Sequence, residues 1–129
     1  MNLPPSAQRP HLPYQAPIEA YGNGGFRFAG LSHRGSLLCL PDGIWAWAVA
    51  AASDLAPATL GLVFERATRL DLFILGTGRD TWTVSPLLRD AFRQYSLKCE
   101  AMPTRAAIRT YNVLVVEGRR VAAGLIAAA

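Results

Sequence analysis

Residues 70–75 form a nearly uninterrupted apolar run that ends in Gly76-Thr77-Gly78. Such a short run is typical of a central β-strand covered on both faces, because a strand with one face in water alternates polar and apolar residues. Asp71 marks its exposed start, and before it Pro57 and the apolar spacing from Leu60 to Ala67 predict a covering helix. A strand covered on both sides requires further layers, so the sequence favours an α/β domain.

A helix and a second strand are predicted after this central strand. Ser85 can cap a helix that begins at Pro86, and the apolar side chains between Leu87 and Tyr95 recur along one helical face. Pro103 forces the residue before it into extended backbone, which favours a strand over residues 97–102.

The segment from residue 105 to 117 allows two interpretations. Residues 110–116 are rich in types that favour strands. A possible cap at Thr104 and the Arg-Ala-Ala start favour a helix instead, and the apolar residues recur along one helical side. We therefore predict a helix that ends at Gly118, followed by a last strand over residues 121–126.

The first half of the chain shows short extended segments separated by turns. Phe26-Arg27-Phe28 alternates like a strand entered through flexible glycine backbone, and residues 30–35 are predicted to turn the chain. Two apolar runs, residues 36–40 and 44–49, flank the strong turn signal Pro41-Asp42-Gly43. This arrangement predicts a β-hairpin that is added to the α/β layer.

Residues 1–17 contain five prolines, and this composition predicts a flexible arm that precedes a domain at residues 18–129. The arm has no apolar core behind a basic start, so a secretory signal is not expected. The longest uncharged apolar run, residues 43–52, is about half the ~20 residues of a membrane-spanning helix. We therefore expect no membrane insertion and a cytoplasmic location, where Cys39 and Cys99 would remain free thiols.

The charge pattern gives little support to nucleic-acid binding. The formal net charge is +4, and the cationic residues are scattered, most of them with an acidic residue nearby. A nucleic-acid site usually shows clustered cations with exposed aromatic residues or a known module. We therefore expect no nucleic-acid partner.

Several short motifs, in their order and spacing, resemble the Mth938-domain family, a domain of unknown function whose members include an adipogenesis-associated protein and a mitochondrial complex I assembly factor. The resemblance covers about residues 18–126 and depends most on the Arg-Thr-Tyr-Asn-Val-Leu motif. The motifs are Leu40-Pro-Asp-Gly-Ile44 followed by a tryptophan, Leu75-Gly-Thr-Gly78, Glu100-x-Met102-x-Thr104, Arg109 to Leu114, and Glu117-Gly-Arg119 with Val121.

The resemblance implies a single compact three-layer α/β domain with a mixed central sheet flanked by helices. It also implies that the ambiguous segment after Thr104 is a helix, and it brings no established cofactor or catalytic residue. Some relatives carry a cysteine just before the arginine of the Arg-Thr-Tyr-Asn motif, where this chain has Ile108. Thiol chemistry at that position is therefore excluded here.

A small-molecule or anion site can be predicted at the carboxyl end of the central strand. Open α/β sheets bind ligands there, and the small residues Gly76, Thr77 and Gly78 would let backbone N–H groups face an anion. Arg109 and Asn112 could supply a clamp from one helix face, with Arg79 or Arg89 as a further counter-charge. The competing interpretation is structural, with glycines that permit a tight turn and polar side chains that hold neighbouring segments.

No pattern in the sequence indicates catalysis or metal binding. Serine and cysteine residues lie outside any nucleophile-elbow motif, and His11 and His33 lack ligand spacing. Trp45 and Trp47 share one side of a strand, where we expect core packing. The leading hypothesis is a non-enzymatic domain that binds an unidentified protein partner or helps assembly, and the alternative is the anion site.

Overall fold

The computed structural model describes residues 9–128. The first eight residues of the arm predicted at positions 1–17 therefore lie outside the described residues. The elements are β1 (Ala20–Gly22), β2 (Gly25–Phe28), β3 (Leu31–Arg34), β4 (Leu37–Leu40), β5 (Gly43–Ala46), α1 (Gly61–Glu65), β6 (Leu72–Gly76), α2 (Pro86–Gln94), β7 (Cys99–Met102), α3 (Thr104–Val116) and β8 (Val121–Leu125). No helix within residues 9–128 is long and apolar enough to cross a membrane.

Five strands form the central sheet in the order β5-β4-β8-β6-β7. β6 is parallel to both β7 and β8, whereas β4 is antiparallel to β5 and β8. The predicted mixed sheet and the predicted hairpin of β4 and β5 are therefore confirmed. The three parallel strands have their carboxyl ends at one edge, and this edge carries the loop that follows Gly76.

β8 lies in the middle of the sheet and is buried on both faces along its whole length. Ala122 belongs to the core on one face, whereas Val121, Ala123 and Leu125 belong to the core on the other. Successive strand side chains point to opposite faces, so one strand supplies both cores. The predicted three-layer arrangement is confirmed.

The first outer layer consists of α1, α2 and the short 3₁₀ turns around α1. Leu88 and Phe92 on α2 face the sheet, and the Ser85 side chain accepts a hydrogen bond from the Leu88 N–H, so the predicted cap is confirmed. Trp45 and Trp47 are buried under this layer, which confirms their expected core packing.

The second outer layer contains α3, a separate sheet of β1, β2 and β3, and the segment from residue 9 to 19. The Tyr111 side chain on α3 is completely buried, and its hydroxyl donates to the Ala16 carbonyl at 2.8 Å. His11 and Leu12 pair with Ile44 by backbone hydrogen bonds of 2.8 and 3.0 Å. The division into an arm and a domain at residue 18 remains a prediction.

The sequence-based expectations for residues 30–35 and 57–67 were wrong. Residues 30–35 contain strand β3, because Gly30 and Gly35 both adopt positive φ and turn the chain at either end, which leaves residues 31–34 to pair with β2. The predicted helix at residues 57–67 is split into a 3₁₀ turn, the five-residue α1 and a second 3₁₀ turn. Burial of Leu60, Leu62 and Val63 overrides the regular helical spacing there.

Gly124 has no side chain because two aromatic rings occupy the space above it. A Cβ atom there would lie 2.6 Å from Cη2 of Trp47 and 2.9 Å from Cζ of Phe73. We expect Gly124→Ala to lower the free energy of unfolding by about 1–3 kcal/mol, because both rings must shift in a packed core. Urea denaturation followed by tryptophan fluorescence measures the loss.

Gly61→Ala is the matched control for Gly124→Ala. Gly61 has helical backbone angles, and a Cβ atom there would meet no atom within 4 Å. We expect unchanged or slightly higher stability, since alanine restricts the unfolded chain more than glycine does. Equal destabilisation by both substitutions would contradict the packing explanation.

An ion pair ties the β4–β5 turn to the end of α1. Arg66 donates from Nε and Nη2 to the two Asp42 carboxylate oxygens at 2.7 and 2.9 Å, and its guanidinium lies 5.2 Å from the Trp45 ring centroid. The hydrogen bonds from Arg66 hold the pKa of the Asp42 carboxyl below its usual value. Bidentate geometry makes this pair stronger than an ordinary surface pair.

Asp42→Asn is expected to lower the free energy of unfolding by about 1 kcal/mol at neutral pH. Because the folded pKa of Asp42 is lowered, its contribution is complete above the unfolded pKa of about 4 and disappears as pH falls through the folded value. The wild-type and variant stabilities should therefore converge in acid, as measured by urea denaturation across pH. Asp80→Asn, at an exposed residue without an ion pair in the described chain, should show no such convergence.

Candidate functional site

The loop after β6 uses its backbone groups inside the protein. The Thr77 N–H donates to the Met102 carbonyl at 2.9 Å, and the Gly78 N–H donates to Oγ1 of Thr104 at 2.8 Å. The Gly76 carbonyl accepts from the Ile126 N–H at 3.0 Å. An anion would have to replace these bonds to reach the amides of Thr77 and Gly78.

Gly76 allows α3 to pack closely against β6. A Cβ atom at Gly76 would lie 2.9 Å from Oγ1 and 3.0 Å from Cα of Thr104, and 3.2 Å from the Ala107 Cβ. Gly78 has a φ of +91°, a conformation that side chains rarely adopt. Gly76 is therefore required by close packing, and Gly78 is required by the backbone conformation of the turn.

Thr104 is completely buried and connects the loop, α3 and the end of β8. Its hydroxyl accepts from the Gly78 N–H and donates to the Ile126 carbonyl at 2.7 Å. The sequence predicted Thr104 as the helix cap, but the residue before the helix is Pro103 and Thr104 is the first helical residue. Because its hydroxyl is occupied by two other segments, it does not cap the helix.

The predicted clamp lies away from this loop. By the rise of an α-helix, Arg109 and Asn112 are about 8 and 12 Å along α3 from Thr104. Asn112 holds the chain at Ile18, whose N–H donates to Asn112 Oδ1 at 2.8 Å and whose carbonyl accepts from Nδ2 at 2.9 Å. The Arg109 side chain is exposed. The nearby acid Glu100 forms its ion pair with Lys98, at 3.5 Å. Anion binding by Gly76, Thr77, Gly78, Arg109 and Asn112 together remains a prediction.

A cleft of about 360 Å³ opens beside Gly78, and Arg105 lines it, whereas Arg109 and Asn112 are not among its described lining residues. The loop residue Arg79, the start of α3 and the β1–β2 turn form its walls. The sequence pointed to Arg79 as a counter-charge. The sequence could not indicate that the turn at Tyr21 to Asn23 lines the same cleft, because this turn and Arg79 are distant along the chain.

The groups that could react are poorly placed for catalysis. Burial raises the pKa of the Cys39 thiol to about 12, and burial likewise raises the pKa of Cys99 to about 12. Neither thiol is therefore ionised near neutral pH, and the thiolate is the nucleophile. His11 and His33, distant in sequence, have ring centroids 4.7 Å apart, yet residues 9–128 hold no group of three or more potential metal ligands.

An apolar groove of about 600 Å³ lies between α1 and α2, and we name it the α1–α2 groove. Its apolar lining includes Phe64, Leu87, Ala91 and Tyr95. The sequence assigned Leu87 and Tyr95 to the packed face of α2, but 66% of Leu87 and 48% of Tyr95 are exposed. The helical pattern could not separate the groove from the core, because both require apolar residues on neighbouring turns.

The sequence profile of a family described as a protein of unknown function (DUF498/DUF598) matches residues 18–126. The chain belongs to this family. A protein from Bordetella pertussis with a Mth938-like domain has a solved structure that matches with 25% identity and a TM-score of 0.69, over 86% of this chain and 85% of that one. The resemblance to the Mth938-domain family is therefore confirmed.

Two relatives match most of this chain. An uncharacterised protein from Rhodobacter capsulatus is 39% identical over 110 residues, covering 85% of this chain and 83% of that protein. Mouse NADH dehydrogenase (ubiquinone) 1 alpha subcomplex assembly factor 3 is 30% identical over 115 residues. The match covers 89% of this chain but 62% of the mouse protein, so that protein contains sequence beyond the shared domain.

A further similar solved structure is that of a protein from Bartonella henselae that is described as an outer membrane protein. It is 39% identical, with a TM-score of 0.88, over 92% of this chain and 100% of that chain. The fold described above is therefore shared by bacterial relatives over nearly the full domain.

We expect Thr104→Val to lower the free energy of unfolding by about 1–3 kcal/mol for each buried group left without a partner, the Gly78 N–H and the Ile126 carbonyl. Valine keeps the shape of threonine but removes the hydroxyl. Thr104→Ser is the matched control, because it keeps the hydroxyl and removes only a methyl group. If chemical denaturation showed the serine variant to be as unstable as the valine variant, the hydroxyl would not be the important group.

Proposed function

We propose that this chain is a non-enzymatic protein-binding domain that assists the assembly of a multi-subunit complex, and that the α1–α2 groove is its docking surface. The observation that carries the proposal is an exposed apolar groove with an acidic rim in an otherwise basic chain. The relationship to proteins named as NADH dehydrogenase assembly factors supports the assembly role. The cytoplasmic location expected from the sequence remains a prediction.

The apolar part of the α1–α2 groove is preformed. The rings of Phe64 and Tyr95 are stacked with centroids 4.4 Å apart and an interplanar angle of 6°, and Phe64 also contacts Phe92 edge-on at 5.2 Å. The half-exposed Tyr95 ring is thus held against the core. Rigid aromatic surfaces lose little side-chain entropy on binding and often dominate interface energetics.

The charge of the groove defines the partner. Glu65 and Asp90 are the charged residues among its described lining, although the whole chain has a net charge of +4. Glu65 and Asp90 each have an arginine at 3.5 Å, Arg66 and Arg93, but both acidic side chains are at least half exposed, so a partner cation can compete for them. The groove therefore fits an apolar segment, such as an amphipathic helix, flanked by lysine or arginine.

Another exposed apolar surface lies at the end of α3. Val113 and Val116 are 57% and 77% exposed there. We favour the α1–α2 groove because it combines concave shape, a fixed aromatic ring and two exposed acidic side chains. The α3 surface then serves as a control.

The test is made in cells from which the gene for this chain has been deleted. Wild-type protein should restore the assembled NADH dehydrogenase complex, as measured by native electrophoresis of membranes. Leu87→Ser should restore much less, because loss of an exposed apolar anchor weakens docking by about tenfold. Asp90→Lys should act in the same direction, since it reverses the charge that attracts a basic partner.

Matched controls are Val116→Ser and Glu117→Lys, which make the same kinds of change at exposed positions on or next to α3. Both should restore assembly like the wild type. Failure of the two α3 variants alone would move the docking surface to α3. Normal assembly without the gene would overturn the proposed assembly role, and circular dichroism of each variant would exclude unfolding as the cause.

A further inference from the structure

We propose that the cleft beside Gly78 is a binding site for a small phosphate-bearing molecule, held by Arg79 and Arg105. This site is separate from the α1–α2 groove, which lies between helices on the other face of the sheet. It also differs from the site expected from the sequence, because the charges come from the loop and the first turn of α3 and not from Arg109.

The charged side chains that line this cleft among residues 9–128 are of one sign. Eight described residues line it, of which Arg79 and Arg105 are the charged ones. Within residues 9–128, neither arginine has a carboxylate within 4.0 Å. Two guanidinium groups that share a cleft without a counter-charge repel one another, and an anion between them removes that repulsion. The two positive charges match the charge of a phosphate monoester, whose oxygens suit the forked donors of arginine.

The walls of the cleft are fixed before any ligand binds. The β1–β2 turn is held by a hydrogen bond from the Gly24 N–H to the Ala128 carbonyl at 2.9 Å. The loop is held by Thr104, which bonds to both the N–H and the carbonyl of Gly78. The Arg105 guanidinium lies 5.6 Å from the Tyr21 ring centroid, and this contact orients the side chain. A preformed site loses less entropy on binding.

Size and composition indicate a small ligand. A volume of about 360 Å³ lies at the lower end of the range for small-molecule pockets. Asn23 and the backbone of the turn add polar groups opposite the arginines. The cleft therefore suits an organic phosphate better than an extended polymer.

The test uses the chain without an added C-terminal tag, because Ala128 lines the cleft. Inorganic phosphate and pyrophosphate are titrated at constant ionic strength, with acetate as a monoanion, and backbone amide NMR signals are followed. We expect saturable shifts at Gly22, Asn23, Gly78 and Arg79, with a Kd for pyrophosphate below about 1 mM. Acetate should bind more weakly, because it carries one charge.

Arg79→Gln and Arg105→Gln should each raise that Kd at least about tenfold, and Arg105→Lys should lie between, because it keeps the charge but loses the fork. Arg93→Gln on α2 is the matched control and should bind like the wild type. Arg109→Gln tests the helix face that the sequence predicted as an anion clamp, and this variant should bind pyrophosphate like the wild type. An absence of saturable shifts, or shifts that both cleft variants leave unchanged, would overturn the proposal, as would selective loss in Arg109→Gln.

Discussion

Burial of β8 on both faces is the constraint on which the other layers depend. The strand has helices α1 and α2 above it and α3 below it, so its residues must be apolar and, where aromatic rings cross, small. Ala122 and Ala123 serve opposite cores, and Gly124 gives room to Trp47 and Phe73. Since interiors are packed as densely as organic crystals, even one methyl group added at Gly124 displaces rings in the core under α1 and α2.

The parts of the fold that could be predicted from the sequence are those with a local physical cause. The continuous apolar run indicated β6, the Pro41-Asp42-Gly43 turn indicated the β4–β5 hairpin, and Ser85-Pro86 indicated the start of α2. For α3, strand-favouring residues competed with a helical start, and the family resemblance correctly favoured the helix. Packing of Tyr111 against residues distant along the chain overrides local propensity there.

The features that could not be predicted depend on contacts between distant segments. Leu87 and Arg105 are examples. Helical spacing predicts the direction of a side chain but not which other segment, if any, packs against it. Leu87 continues an apolar pattern yet remains in water, and Arg105 meets the β1–β2 turn, some eighty residues earlier in the chain. The two candidate surfaces can therefore be recognised only from the three-dimensional structure.

The segment just before residue 18 packs against the core of the domain. The family profile match begins at residue 18, but Leu12 and Ala16 are buried, and the Ala16 carbonyl accepts a hydrogen bond from the Tyr111 hydroxyl. A protein shortened to residues 18–126 would uncover Ile44 and leave the Tyr111 hydroxyl without its acceptor inside the core. We therefore expect the stable domain to include residues before position 18, beyond the stretch that the family profile matches.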